Sequence, residues 1–254
     1  MKNSAVPALT RAMRIFELLA EEGQPGLGVT EIAARTGIAK STTALICSVL
    51  EEENLVRRHD NRYLLGRRLL TLAGDYLATV DQLSDFYDEV RAQPVMSRHS
   101  ARLAMLDGTD VIYLARYEVG RVRRVSGSIG DRFPASITAT GKAILMTMSP
   151  AVVADRFRSV DFPRFTEKSI QSLPEFLQDL DRCRERGYAM DDEETNLGQV
   201  CFAVPVRNEE TDEAHLAVST TLSKEAAARD VDLVLEELRA VADIFTNPLA
   251  GKSF

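Results

Sequence analysis

The sequence predicts an α+β protein in two parts: an N-terminal winged helix-turn-helix and a C-terminal antiparallel sheet with helices packed on it, joined by a helical linker. Three observations predict it. Residues 28–53 hold two short amphipathic helices around a glycine turn. Two β-prone runs follow at once, and beyond about Pro94 further β-prone runs interleave with amphipathic helices. The expected boundaries are 1–75 for the first domain, 76–93 for the linker and 94–254 for the second domain.

The first helix is expected over Ala8 to Glu21, with Leu9, Ala12, Met13, Phe16, Leu19 and Ala20 inward and Arg11 and Arg14 outward. A loop of Gly23, Pro25, Gly26 and Gly28 ends it. Val29, Ile32, Ala33 and Thr36 then fall at i, i+3, i+4 and i+7, and Gly37 stops the helix. Ile38 packs between this helix and the next. The second helix of the pair repeats the spacing with Thr43, Ile46, Cys47 and Leu50. Its outward face is therefore Lys40, Ser41, Thr42, Ala44, Leu45 and Ser48. A plain surface helix favours Glu, Lys and Arg there, whereas small and hydroxylated side chains let a backbone approach DNA. Leu55-Val56 and Tyr63-Leu64-Leu65, around a turn at His59-Asp60-Asn61, read as a two-stranded wing. Arg57, Arg58 and Arg62 cluster on it where flanking phosphates would lie.

The net charge of −7 argues against a DNA binder until it is divided. Residues 1–75 carry 10 Lys and Arg against 9 Asp and Glu, and the remainder carries 21 against 29. The acidic excess thus lies outside the winged part, but +1 is a weak footprint, so tight binding calls for a dimer. Residues 67–92 read as helical, with Leu69, Leu72, Ala73, Tyr76, Leu77, Val80 and Leu83 forming an apolar stripe suited to a second copy of the chain.

In the second part, two β-prone runs flank Asp107-Gly108, a third spans Val122 to Ser126, and a short helix follows Thr138 to Gly141. An amphipathic helix runs from Leu173 to Arg186, strands fall at 188–191, 200–206 and 216–221, and a last helix carries Val231, Val234, Leu235, Leu238, Val241, Ala242 and Phe245 on one face.

Catalytic constellations are poor. Ala139-Thr140-Gly141-Lys142 is similar to the end of a phosphate-binding loop, but Ser136 stands where the first glycine would, and Ala143 where the hydroxyl would. Asp191 to Glu194 reads as a solvated charge run. Cys47, Cys183 and Cys201 are scattered among three histidines with no metal-ligand spacing, so no metal or cofactor is expected. There is no secretory leader and no run long enough to span a membrane, which points to the cytoplasm.

Several segments in order, LTRAMRIFELL, VTEIAARTGIAKST, RYLLG, FPASITATGKAIL and RERGYAMDDEETNLGQVCFAVPV, resemble the IclR family of bacterial transcriptional regulators along nearly the whole chain. The resemblance implies a winged helix, a helical linker and a GAF-like effector-binding domain, in a homodimer or dimer of dimers that regulates a catabolic operon. Its recognition helix matches Lys40 to Leu50. Leu45 stands where family members usually carry Arg, and Asn54 where Gly is usual. The implied partners are operator DNA and a small effector. By the same resemblance, Val122, Val125 and Phe133 would form the apolar wall of the effector pocket. The amides of Ala139 and Thr140 would hold a carboxylate. Asp191, Gln199, Cys201, Ser219 and Thr221 would complete it. Such a pocket favours an aromatic acid of the hydroxybenzoate type over a glyoxylate-sized one. With no catalytic constellation, a ligand-released repressor is expected, the alternative being an enzyme or nucleotide-binding sensor that uses the C-terminal α+β domain.

Overall fold

A computed structural model describes residues 6–78, 83–119, 128–207 and 212–245, the side chain of Ser84 excepted. It divides into two compact units, residues 1–79 and 80–254.

The first unit opens with helix α1 (Pro7–Glu22), followed by α2 (Val29–Thr36) and α3 (Lys40–Glu52). Gly37 closes α2 with φ 68°, the left-handed conformation a terminal glycine adopts without a Cβ clash. Ile38 is buried where the two helices meet, and Thr43, Cys47 and Leu50 form the inner face of α3. The core joins these to Leu27, Ile32, Val56 and Tyr63. The inner face of α1 differs from the expected one. Ala12, Ile15, Leu18 and Leu19 are buried, while Leu9 and Met13 are exposed. Apolar residues surround much of this helix, so the packing of α1 on α2 and α3 chose the stripe.

Strands β1 (Val56–His59) and β2 (Arg62–Leu65) pair antiparallel with His59 opposite Arg62. Asp60 and Asn61 make the two-residue turn, both at positive φ, the geometry whose twist matches a hairpin. Asn54, in place of the usual glycine, sits at φ 57°; a short amide side chain tolerates that region. Helix α4 (Arg68–Ala78) follows and buries none of its residues within the chain.

The second unit begins with α5 (Leu83–Ala92), whose Phe86 and Val90 are fully buried. This helix packs with its own unit and is not a free linker, which is where the expected linker of 76–93 divides. The sheet comprises β3 (Ser100–Asp107), β4 (Asp110–Tyr117), β5 (Arg132–Pro134), β6 (Ala189–Asp192), β7 (Gln199–Arg207) and β8 (Ala214–Ser223). All neighbours run antiparallel in the order β5-β4-β3-β8-β7-β6. Successive side chains point to opposite faces. On one face Ala104, Tyr113, Ala203 and Ala217 join a core built from α6 (Ala139–Leu145), α7 (Pro150–Phe157) and α8 (Leu173–Arg186). The alternate residues Phe202, Val204, Val218 and Leu222 are also buried, and α9 (Lys224–Ile244) lies on β7 and β8. Glu237 of α9 is buried because its carboxylate accepts the backbone N–H groups of Val95 and Met96. Helix α7 and strand β5 were not expected from the sequence.

Candidate functional site

The first candidate surface is the outer face of α3. Lys40, Ser41, Ala44, Leu45 and Ser48 are exposed and Thr42 is half-buried. Leu45, at 67% exposure, is the most prominent apolar side chain on the helix, with Val49 half-exposed one turn on. On the wing the three arginines differ. Arg57 is exposed and makes no ion pair among the described residues. Arg58 donates to the Asn61 side chain and lies 5.9 Å over the Tyr63 ring. Arg62 donates to the Gly26 carbonyl at 2.9 Å and pairs with Glu31 at 3.0 Å. Glu31 in turn accepts the Gly28 N–H at 2.7 Å, which, with Arg62, holds its carboxyl below the usual range. Arg62, expected at a phosphate, is thus already bound as a brace between the wing and the start of α2.

The second is a cavity of about 50 Å³ on the α6 face of the sheet. Of the residues expected there, Phe133, Ala139, Thr140, Asp191, Gln199, Cys201, Ser219 and Thr221 line it together. Val122 and Val125 lie outside the described residues. Strand period explains the convergence: Cys201, Ser219 and Thr221 share the parity of Ala203 and Ala217 and so face the same side.

Arg102, Tyr113, Thr138, Thr195 and Asn196 also line the cavity, and sequence reasoning missed them. Arg102 is buried on β3, donating to Thr221 Oγ1 at 3.4 Å and Glu118 at 3.3 Å and lying 5.6 Å over the Tyr113 ring. Arg116 makes a closer bond to Glu118, at 2.5 Å. An arginine inside the run ARLAML was the available signal, since a buried cation is retained only with partners. Tyr113 and Phe133 pack with ring centroids 5.6 Å apart. Burial pushes the Tyr113 hydroxyl and the Cys201 thiol up to about 12, so Cys201 is a neutral donor to or acceptor from Thr221 at 3.1 Å. A thiol so held is no nucleophile.

The charge run at 191–194 is the main correction, because Asp191, Glu193 and Glu194 are all buried. Asp191 Oδ1 accepts the N–H groups of Glu194 at 2.6 Å and Thr195 at 3.2 Å, and Oδ2 accepts the Thr195 hydroxyl. Its carboxylate is committed to the loop above the cavity; burial raises its pKa against those hydrogen bonds. Glu193 pairs with Lys168 and Lys224. Glu194 pairs with Lys142, which is fully buried and also bonds Asp179 and the Met190 carbonyl, both at 2.9 Å. The lysine that followed the apparent phosphate loop is therefore an anchor for α8 and the 193–196 loop. Thr138 caps α6 by accepting the Gly141 N–H, which leaves the first N–H groups of the helix, at Ala139 and Thr140, without intrahelical acceptors. The Thr140 hydroxyl is buried beside that of Tyr113 and, as its hydrogen-bond partner, offsets part of the rise that burial gives the Tyr113 pKa.

Residues 87–246 match the model of the bacterial transcriptional regulator IclR C-terminal domain, and residues 8–60 match the IclR helix-turn-helix domain. The transcriptional regulator KdgR of Dickeya chrysanthemi is 29% identical over 204 residues, which cover 80% of this chain and 66% of that protein. A solved IclR regulator from Alicyclobacillus acidocaldarius is 26% identical with a TM-score of 0.79, covering 95% of this chain and 98% of its own. An IclR homologue from Microbacterium hydrocarbonoxydans, solved with 4-hydroxybenzoate, shares the fold at 20% identity and a TM-score of 0.77, covering 92% and 97%.

Proposed function

The chain belongs to the IclR family of bacterial transcriptional regulators, and we propose that it is a repressor of a catabolic operon, released from its operator by a small carboxylate effector. It is a DNA-binding regulator; the sign of its action, its ligand and its assembly are the inferred parts. The observation that carries the effector reading is the buried Arg102 beside Tyr113 and Thr221 in a cavity that also presents the start of α6. An arginine fork receives a carboxylate bidentately, and the amides of Ala139 and Thr140 offer further donors. Gln199, Cys201, Ser219 and Thr221 would orient hydroxyl groups on the ligand.

Two ligand sizes are supported by different features. The Tyr113–Phe133 ring pair favours an aromatic acid of the hydroxybenzoate type, the ligand type seen in the Microbacterium homologue. The cavity of about 50 Å³ holds only a few waters, at about 10–15 Å³ each, and favours a short aliphatic acid unless the walls give. On the DNA side, Lys40, Ser41, Thr42, Ala44, Leu45 and Ser48 would enter the major groove, Arg57 and Arg58 would flank it, and Arg62 would hold the wing in place. The stripe of α4, with Leu72 and Tyr76 exposed one turn apart, supports a homodimer or a dimer of dimers. Among the described residues no helix is long and apolar enough to cross a membrane, in keeping with work in the cytoplasm.

Fluorescence anisotropy on duplexes from upstream of the chain's own reading frame tests the proposal. Binding that salt weakens, and that either 4-hydroxybenzoate or glyoxylate reverses, is expected. Binding that no carboxylate alters would overturn the effector reading, and calorimetry with the two acids decides between the ligand sizes.

A further inference from the structure

We propose that α3 reads thymine methyl groups, with Leu45 and Val49 each forming an apolar contact for a thymine, the two thymines about two base steps apart in each operator half-site. The inference rests on α3 being the recognition helix and adds the base chemistry it recognises. From Lys40 to Glu52 there is no Arg, Asn or Gln, the side chains that bind guanine or adenine bidentately. Lys40 is the helix's one cation and sits at its first residue. At the other end Glu51, Glu52 and Glu53 repel phosphate, so the turns before them, up to Val49, are the part that can lie in the groove.

Along those turns Ser41, Ala44 and Ser48 are exposed and small, which lets the backbone approach closely. Leu45 and Val49 are 67% and 50% exposed, and neither is among the described residues that form or pack against the first unit's core. They lie one helical turn apart, about 6 Å along the axis, which spans roughly two base steps at about 3.4 Å each. The thymine C5-methyl is the apolar group the major groove displays. Serine hydroxyls both donate and accept, so they tolerate any neighbouring pair and leave the methyl contacts to discriminate.

The test uses the full chain and a duplex selected from a random pool. Each thymine is replaced in turn by deoxyuridine, which lacks only the methyl. At one or two positions per half-site, replacement should weaken binding about fourfold, the worth of one buried methyl-sized group. Leu45→Ala should abolish the penalty at one of these positions and Val49→Ala at the other, while Leu45→Met retains it. The salt dependence should stay unchanged in all three variants, because no phosphate is involved. Uracil tolerated at every position, or penalties that persist in both alanine variants, would overturn the inference while leaving DNA binding intact. If no duplex is selected at all, the DNA-facing reading of α3 fails and takes this inference with it.

Discussion

Buried charge at single residues decides most of what the effector unit can do. Arg102 lies beside the cavity with Glu118 as a shared partner, so a carboxylate ligand would bind a cation already paid for by the fold. Arg102→Gln keeps a donor but removes the charge, and calorimetry should show carboxylate affinity reduced roughly tenfold to a hundredfold. The same variant should bind operator normally in the absence of effector. Glu194 sits at about 7 because burial, with Asp191 and Asp179 nearby, outweighs the pull of Lys142. Its folded pKa exceeds the ordinary 4.5, so the native state keeps a proton that the unfolded chain releases. That contribution is complete below about 4.5 and is lost as pH rises to about 7. Glu194→Gln has no such proton, so its urea midpoint should fall less than the parent's between about pH 5 and about pH 7.5, the parent losing up to about 1.4 kcal/mol per unit.

At the scale of elements, the wing and α6 show why residue type alone does not assign a role. Arg57 and Arg62 are both wing arginines, yet one is exposed and the other braces Gly26 and Glu31. Arg57→Ala should lower the slope of log K against log salt by about one with no change in melting temperature. Arg62→Ala should instead destabilise the first unit by roughly 0.5–1 kcal/mol, since its ion pair is partly exposed and screened. Equal salt-slope losses in both would place Arg62 on phosphate after all. In α6, a Cβ on Gly141 would stand 2.3 Å from the Ala135 carbonyl oxygen and 2.4 Å from its Cα. Gly141→Ala should therefore cost the effector unit about 1–3 kcal/mol, read by its denaturation midpoint.

Taken whole, the molecule carries its acidity away from its DNA-facing part, and two weakly charged winged units acting together would hold an operator more tightly than one. Leu72 at 49% exposure, with Tyr76 one turn on, is the apolar surface that would join them. Light scattering should find a dimer or larger species at micromolar concentration, and Leu72→Asp should shift it toward monomer while weakening operator binding by more than tenfold. A chain that is monomeric and still binds tightly would refute assembly through α4. Half-sites about one helical turn apart, or a multiple of it, are expected from two-fold symmetry.

The helical pair, the wing and the strand-rich second part were legible because each is written in short-range periodicity. Gly37 ends α2, Thr43, Cys47 and Leu50 line α3, and alternate residues of β7 and β8 face one side. The polar wall of the cavity was legible through the resemblance, as its members occupy matching strand positions. The partners of the buried charges were not. Lys142 meets Asp179 and Glu194 across 37 and 52 residues, Arg102 meets Thr221 across 119, and Glu237 meets Val95 across 142. A charge run reads as solvated until a distant cation is brought against it, and an apolar helix such as α1 offers several stripes until its neighbours select one. Tertiary packing decided these points, because the free energy of burying a charge or a helix face depends on what covers it and not on its neighbours along the chain.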